Sequence, residues 1–325
     1  MGKNKIIFLA IIIILIVVLT RSYRRVSNNS VKSSKTVKKA LIAKKVINPI
    51  AYFTGLSYLY SININNRIKN TVSGYLGSGK AADSVINIRS GEYAISNEST
   101  AIHICGVNKC SQGNFVSTIT GYTLDNTFYK FQGVGDLAMY NGNLYATDVL
   151  NGAIVKINIS NFTAIAVVTN LNNPHGIYFD DGNLYIKLES FSYNNSVCSL
   201  IKVNTSNWAV SGCASRIGGY ADGVAGYKNI LYIVRDYLQP SGYYNASVYS
   251  INLNSGKYSN LINITDQYID GIGYNSKEVL AVFRSANPDS LGVKHYNYIQ
   301  GLYNITSGKP DLLVSGTFDG IYFPY

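Results

Sequence analysis

The chain has 325 residues, with 12% aromatic and only 14% charged side chains. That balance is rich in strand formers and poor in the Lys and Glu of exposed helices. The formal net charge of +11 suggests a nucleic-acid partner until the charge is located: 11 of the 28 basic residues precede residue 46, the first acidic residue is Asp83, and beyond residue 45 the basic residues equal the 17 acidic ones. The body is therefore neutral, and nucleic-acid recognition, which needs a basic face, is excluded.

Ile6–Leu19 reads IIFLAIIIILIVVL, without a charge or polar side chain. As a helix it spans roughly 22 Å, short of the ~30 Å hydrocarbon core, a gap that snorkelling Lys5 and Arg21 close. No A-x-A-like cleavage site follows, so residues 1–20 read first as a membrane anchor, inserted through residues 6–20, with a cleaved signal segment as the alternative. Residues 21–45 are rich in Ser, Lys, Arg and Asn and form a flexible basic stalk.

From residue 46 to 325 the chain repeats. GDLAMYNGNLYATD from Gly135, HGIYFDDGNLYIKL from His175, DGVAGYKNILYIVR from Asp222 and DGIGYNSKEVLAVF from Asp270 align, with a degenerate copy at Asp83. Each holds two short strands about a tight turn, and Asn141-Gly142 and Asp181-Gly182 are strong hairpin dipeptides. Two more strand-like runs follow each pair. Four antiparallel strands in about 40–50 residues make one propeller blade. The first unit lacks its innermost strand, and the chain ends in FDGIYFPY, an innermost strand with nothing after it. Phe318–Tyr325 is therefore expected to complete the first blade. The expected fold is all-β: a six-bladed β-propeller closed by its C-terminal strand and preceded by a transmembrane helix.

The cysteines fall into two local pairs. The turn Asn204–Asn207 sets Cys198 opposite Cys213 across a hairpin, and Cys105–Cys110 makes a shorter one. Both are expected to be disulfides that staple outer strands. Asn-x-Ser/Thr sequons start at Asn28, Asn97, Asn158, Asn161, Asn194, Asn204, Asn245, Asn263 and Asn304, and those of the body are candidate glycosylation sites. The positive-inside rule places the body in the cytoplasm, because more basic residues follow the apolar run than precede it. Disulfides and sequons place it outside. Weighed together, the expectation is a propeller outside the cytoplasm, at a cell surface or viral envelope.

PHGIYFDDGNLYI (Pro174–Ile186) resembles the NHL-repeat and regucalcin/gluconolactonase-like six-bladed propellers, where a Pro-x-Gly-Ile step opens the inner strand and an Asp-Gly turn precedes a Leu-Tyr strand. The resemblance spans the repeat from about residue 82 onward. It implies the fold. For the lactonases it also implies a divalent metal held by a Glu and Asn/Asp residues at the top of the channel. Here His175 stands where that family has Asn, and no matching Glu is found.

Two candidate sites follow. Asp83, Asp136, His175, Asp222, Asp270 and Asp319 open the inner strands, one per blade. As a ring they bind Ca²⁺ or another hard cation; as turn residues they accept backbone N–H bonds. On the same face, the long loops around 190–197, 236–247 and 284–298 carry Tyr193, Tyr237, Tyr243, Tyr244, Tyr296 and Tyr298, suited to a protein or glycan ligand. No catalytic triad assembles, since His103, His175 and His295 belong to different blades. The leading expectation is a binding, adhesion or envelope protein. The alternatives are a metal-dependent hydrolase or lactonase and a self-assembling envelope component.

Overall fold

The computed structural model describes residues 50–55, 58–74, 76, 84–89, 91–97, 100–106, 111, 114–189, 198–217, 219, 223–239, 244–285, 299–318 and 320–323. Among them no helix is long and apolar enough to cross a membrane; the anchor and stalk lie outside these residues.

The described chain is a six-bladed β-propeller. Blade 1 pairs Ile321–Tyr322 with Ile50–Gly55, Tyr58–Asn63 and Ile68–Thr71. Blade 2 holds Val85–Arg89, Glu92–Asn97, Ala101–Gly106 and Ser117–Ile119, and blade 3 begins with Val134–Tyr140, Asn143–Asp148, Ala153–Asn158 and Ala164–Val168. Blade 4 runs Pro174–Asp180, Asn183–Leu188, Leu200–Asn204 and Val210–Ser215. In blade 5 the strands are Val224–Tyr227, Ile230–Leu238, Tyr244–Asn252 and Tyr258–Ile264; in blade 6 they are Gln267–Tyr274, Val279–Ser285, Gly301–Asn304 and Asp311–Ser315.

The second strands of blades 3, 4 and 6 are buried on both faces because each blade packs between two neighbours; the successive residues Leu144 and Tyr145, Leu184 and Tyr185, and Leu280 and Ala281, which point to opposite faces, are all buried. The fourth strands face solvent. The expected hairpin turns form, with Asn141 and Gly142 at φ 46° and 71°, and Asp181 and Gly182 at 43° and 72°. Two left-handed residues match the right-handed twist of the flanking strands.

Closure follows the expected route. Phe53 faces Ile321 and Tyr52 faces Tyr322, and the Thr54 N–H donates to the Gly320 carbonyl at 2.9 Å. Phe318 packs edge-on against Phe53 with centroids 4.8 Å apart. The two ends of the chain thus share one sheet and one apolar cluster, which includes Phe53, Phe318 and Phe323.

The count of six blades holds, and two features go beyond the sequence reading. The first is in the long second unit. Its surplus, Gly121–Leu124 and Thr127–Lys130, forms a hairpin that docks on the outer edge of blade 3, making six strands there. The join is a parallel bridge at Ile165 and Thr123, and Tyr122 and Phe131 anchor the hairpin in the blade 2/3 core. The second concerns the disulfide. Cys198–Cys213 forms, with Cα atoms 5.7 Å apart, but Cys213 faces Ile201 rather than Cys198. Bulges in the outer strand shift the register, so the sulfurs meet diagonally. Cys105 is disulfide-bonded; Cys110 lies outside the described residues.

Candidate functional site

The strand pairing divides the expected ring of carboxylates. Leu137, Val85, Ile177 and Ile321 each face the fourth residue of their neighbouring strand, Ala146, Ile95, Ile186 and Phe53. The residue before each is the structurally equivalent ring position: Asp136, Ser84, Gly176 and Gly320. In blade 6 the residue before Gly271, which faces Val282, is Asp270; in blade 5 Val224 follows Gly223 in the same way. Asp136 and Asp270 therefore occupy the ring, while His175 sits one residue earlier. The residue at this position in blade 2 is Ser84. Asp83, Asp222 and Asp319 lie outside the described residues. Glycine has a packing reason here: a Cβ on Gly176 would meet the Val224 nitrogen at 3.1 Å, and one on Gly223 the Ile272 nitrogen at 3.2 Å.

The ring position and the end of each second strand form joints between blades. Ser96 accepts the Ser84 N–H at 2.8 Å and donates to the Gly135 carbonyl of blade 3 at 3.0 Å. Thr147 repeats this one blade on, accepting from Asp136 and donating to the His175 carbonyl. At the same place in blade 4 the fully buried Lys187 Nζ donates to the Leu188 and Gly219 carbonyls. In blade 5 the Asp236 carboxylate accepts the Ile269 N–H of blade 6 at 3.3 Å. Buried polar atoms are thus satisfied across blade boundaries, where leaving them unpaired costs on the order of 1–3 kcal/mol each.

Asp136 is the most engaged of the ring residues. It accepts from the Ser84 hydroxyl at 2.9 Å, its neighbour Leu137 N–H at 2.8 Å and the Ile177 N–H of blade 4 at 2.9 Å. One side chain therefore ties blades 2, 3 and 4. Burial pushes its carboxyl up to about 6, against the pull of these three donors. Asp270 is ion-paired with Arg284, whose guanidinium lies over the Tyr268 ring. His175 Nε2 lies 3.8 Å from Glu189 Oε2, and burial, reinforced by Lys187, lowers its pKa to about 4. Among the described residues no three His, Cys, Asp or Glu side chains converge as a metal-ligand set. Sequence reasoning missed Ser84, Thr147, Lys187, Glu189 and Arg284. The available signal was a polar residue at the end of the second strand, as in Thr54, Ser96, Thr147 and Lys187.

The lowered pKa of His175 has a consequence for acid stability. The unfolded chain binds this proton from pH 6.5 downward and the folded protein only near pH 4, so the stability contributed is complete above pH 6.5 and lost as pH falls through 4. His175→Gln removes the loss. Relative to the parent, the variant should gain about 3 kcal/mol between pH 6.5 and pH 4, measured by urea unfolding at both pH values. A difference that does not change with pH contradicts the assignment.

Toward the ring face, the second and third strands of blade 5 are nine residues each, the longest among the described residues. Tyr237 and Tyr244 lie toward the tip of this pair. The Tyr237 ring is 5.7 Å from the Arg235 guanidinium, and the Tyr244 ring is 5.8 Å from Tyr268. Tyr193, Tyr243, Tyr296 and Tyr298 lie outside the described residues, so the expected tyrosine rim is seen only at blade 5. Of the sequons, Asn158, Asn204 and Asn304 close third strands, and Asn161 lies in the turn after Asn158. These turns belong to the opposite face. In three of them the Asn Oδ1 accepts from the sequon hydroxyl, at Asn161–Thr163, Asn204–Ser206 and Asn304–Thr306. Asn263 is exposed in the outer strand of blade 5. Asn245 donates to the Tyr237 hydroxyl and accepts from the Asp266 N–H. The Asn97 side chain and Asn194 are not among the described residues.

No family model matches the sequence, and no curated protein does. Solved structures do. A chain of the nidogen/laminin complex matches at 12% identity over 84% of this chain and 97% of its own, with a TM-score of 0.58. A chain of the hydrazine synthase of Kuenenia stuttgartiensis matches at 14% identity over 72% of this chain and 63% of its own, with a TM-score of 0.50. The likeness is one of fold. At such identities it carries the propeller architecture and nothing of activity.

Proposed function

We propose that this protein is a protein-binding β-propeller displayed outside the cytoplasm and held at a membrane by residues 6–20. The observation that carries the reading is the engagement of the polar groups around the channel. Asp136, Asp270, Lys187 and Asp236 are joined to neighbouring strands or to Arg284, so these groups serve the architecture and recognition falls to the loop-bearing face. The Cys198–Cys213 bond suits an oxidising compartment. Sugars on Asn158, Asn161, Asn204 and Asn304 would crowd the opposite face and leave the loops open. The nidogen/laminin complex gives a precedent in which a structure of this fold is solved with a protein partner.

A metal-dependent hydrolase of the NHL/regucalcin kind fits less well. Of its cation ring the described members, Asp136 and Asp270, are already bonded to protein groups. Lateral self-assembly is favoured by one observation: the outermost strand of the six-stranded blade, Thr127–Lys130, is exposed along its whole length, with Phe128 59% exposed. Such an edge is a template for strand pairing.

Photo-cross-linking residues placed at Tyr237, Tyr244, Phe128 and, on the opposite face, Asn65 test the main reading in native membranes. Adducts to a discrete partner from the first two positions and none from Asn65 are expected. Adducts of the protein with itself through Phe128, and none from the tyrosines, would replace it with the assembly reading.

A further inference from the structure

A cavity of about 540 Å³ lies on the flank of the ring, between the outer strand of blade 4 and the body of blade 5. One wall is five consecutive residues, Cys213 to Ile217; the other holds Arg235, Tyr249 and Tyr258. Three observations bear on what it takes. First, among the described residues its charged lining is two arginines, Arg216 and Arg235, with no carboxylate. Second, the Nε of Arg235 is buried and finds no hydrogen-bond partner among the described residues; its guanidinium lies 5.7 Å from the Tyr237 ring centre. A guanidinium with a buried, unpaired Nε is completed by a carboxylate, which takes two of its N–H groups at once. Third, Cys213–Ser215 of this wall end the outermost strand of the blade, Val210–Ser215, whose outer main-chain edge has no strand beside it among the described residues. The Ser215 carbonyl is taken by Ser199 on the inner side, and alternate residues turn their main-chain groups outward.

We propose that this groove binds an extended acidic peptide segment of the partner protein. The segment adds to the edge of blade 4 as a further strand and seats an Asp or Glu side chain on Arg235 and Arg216. Main-chain pairing supplies affinity and the arginines select the side chain. Tyr258, 61% exposed, and Tyr249, whose ring meets it edge-on at 6.0 Å, offer aromatic surface to the residues flanking the acid. The open edge of Val210–Ser215, bulged as it is, offers main-chain groups that an extended peptide can pair with and a sugar cannot, which favours a peptide over an acidic sugar. The proposal rests on the protein-partner reading above and assigns that partner a chemistry.

The test uses the full chain in detergent micelles and capped pentapeptides of alternating valine and glutamate, followed by saturation-transfer NMR titration. The glutamate peptide is expected to bind, the glutamine counterpart at least tenfold more weakly, and glutarate and galacturonate more weakly still. Arg235→Gln should weaken the glutamate peptide about tenfold or more. Arg216→Gln, at an exposed position where folding is not at stake, should do so in the same direction, and added salt should weaken the remaining affinity. Equal binding of the glutamate and glutamine peptides overturns the proposal, as does binding indifferent to both arginine variants. Galacturonate binding as tightly as the peptide makes the groove a sugar site and overturns it too. Because the titration needs no native partner, its failure leaves the cross-linking result at Tyr237 and Tyr244 standing, and the two readings fail separately.

Discussion

Deleting residues 317–325 is expected to abolish cooperative folding of the propeller. The deletion removes the inner strand of blade 1 and strips Phe318, Ile321 and Phe323 from the cluster around Ala51, Phe53 and Ile62. Each large apolar side chain contributes about 2–3 kcal/mol when buried. Their sum is comparable with the total stability of a typical domain, about 5–15 kcal/mol. The cut also opens one sheet edge, at Ile50–Gly55, and uncovers the face of blade 6 that packs against this strand. Differential scanning calorimetry should show no sharp transition for the truncated chain. Phe318→Leu, which keeps the strand and trims the cluster, should unfold cooperatively at a lower temperature. A truncated chain that melts sharply near the parent temperature would mean the ring does not depend on its C-terminal strand.

Asp136→Ala is expected to cost about 3–5 kcal/mol near neutral pH, because Ser84, Leu137 and Ile177 lose one shared acceptor. Urea unfolding with an unchanged slope would measure it. The effect should depend on pH. The carboxyl of Asp136 is raised from 3.8 to about 6, so the folded protein holds a proton that the unfolded chain releases in that interval. The proton-linked stability is complete below pH 3.8 and lost as pH rises through 6. The penalty for Asp136→Ala should therefore be larger at pH 4 than at pH 7. His175 runs the other way over nearly the same window. The two contributions oppose in the parent, and each single variant exposes the slope of the other. A penalty smaller at pH 4 than at pH 7 contradicts this account of Asp136.

Much of the architecture was legible because a propeller writes one blade over and over. Asn141-Gly142 and Asp181-Gly182 mark turns by local chemistry alone, and the orphan strand near Phe318 finds its place by elimination. What escaped was non-local. The hairpin at Gly121–Lys130 turns through Asp125 and Asn126, at φ 49° and 65°, without the glycine that flags such turns, and its docking on blade 3 is a contact no local pattern encodes. The two misplacements have different causes. At Cys213 a bulge shifts the register, and a one-residue slip moves a side chain to another face. The ring divides because Gly176, not His175, stands level with Asp136 when the Asn141-Gly142 and Asp181-Gly182 turns are superposed. No local pattern singles out Lys187 or Arg235; only packing shows that one is enclosed by a blade joint and the other lines a groove.

The placement of the propeller outside the cytoplasm is tested most directly by cysteine trapping in intact cells that carry the full chain. A membrane-impermeant maleimide is added with and without an impermeant reductant, and the peptides bearing Cys198 and Cys213 are read by mass spectrometry. The account predicts that both cysteines stay unlabelled without reductant and become labelled once it is added, with the membrane still sealed. Thiols at Cys198 and Cys213 that react only after lysis, and without any reductant, would place the propeller in the cytoplasm and contradict it.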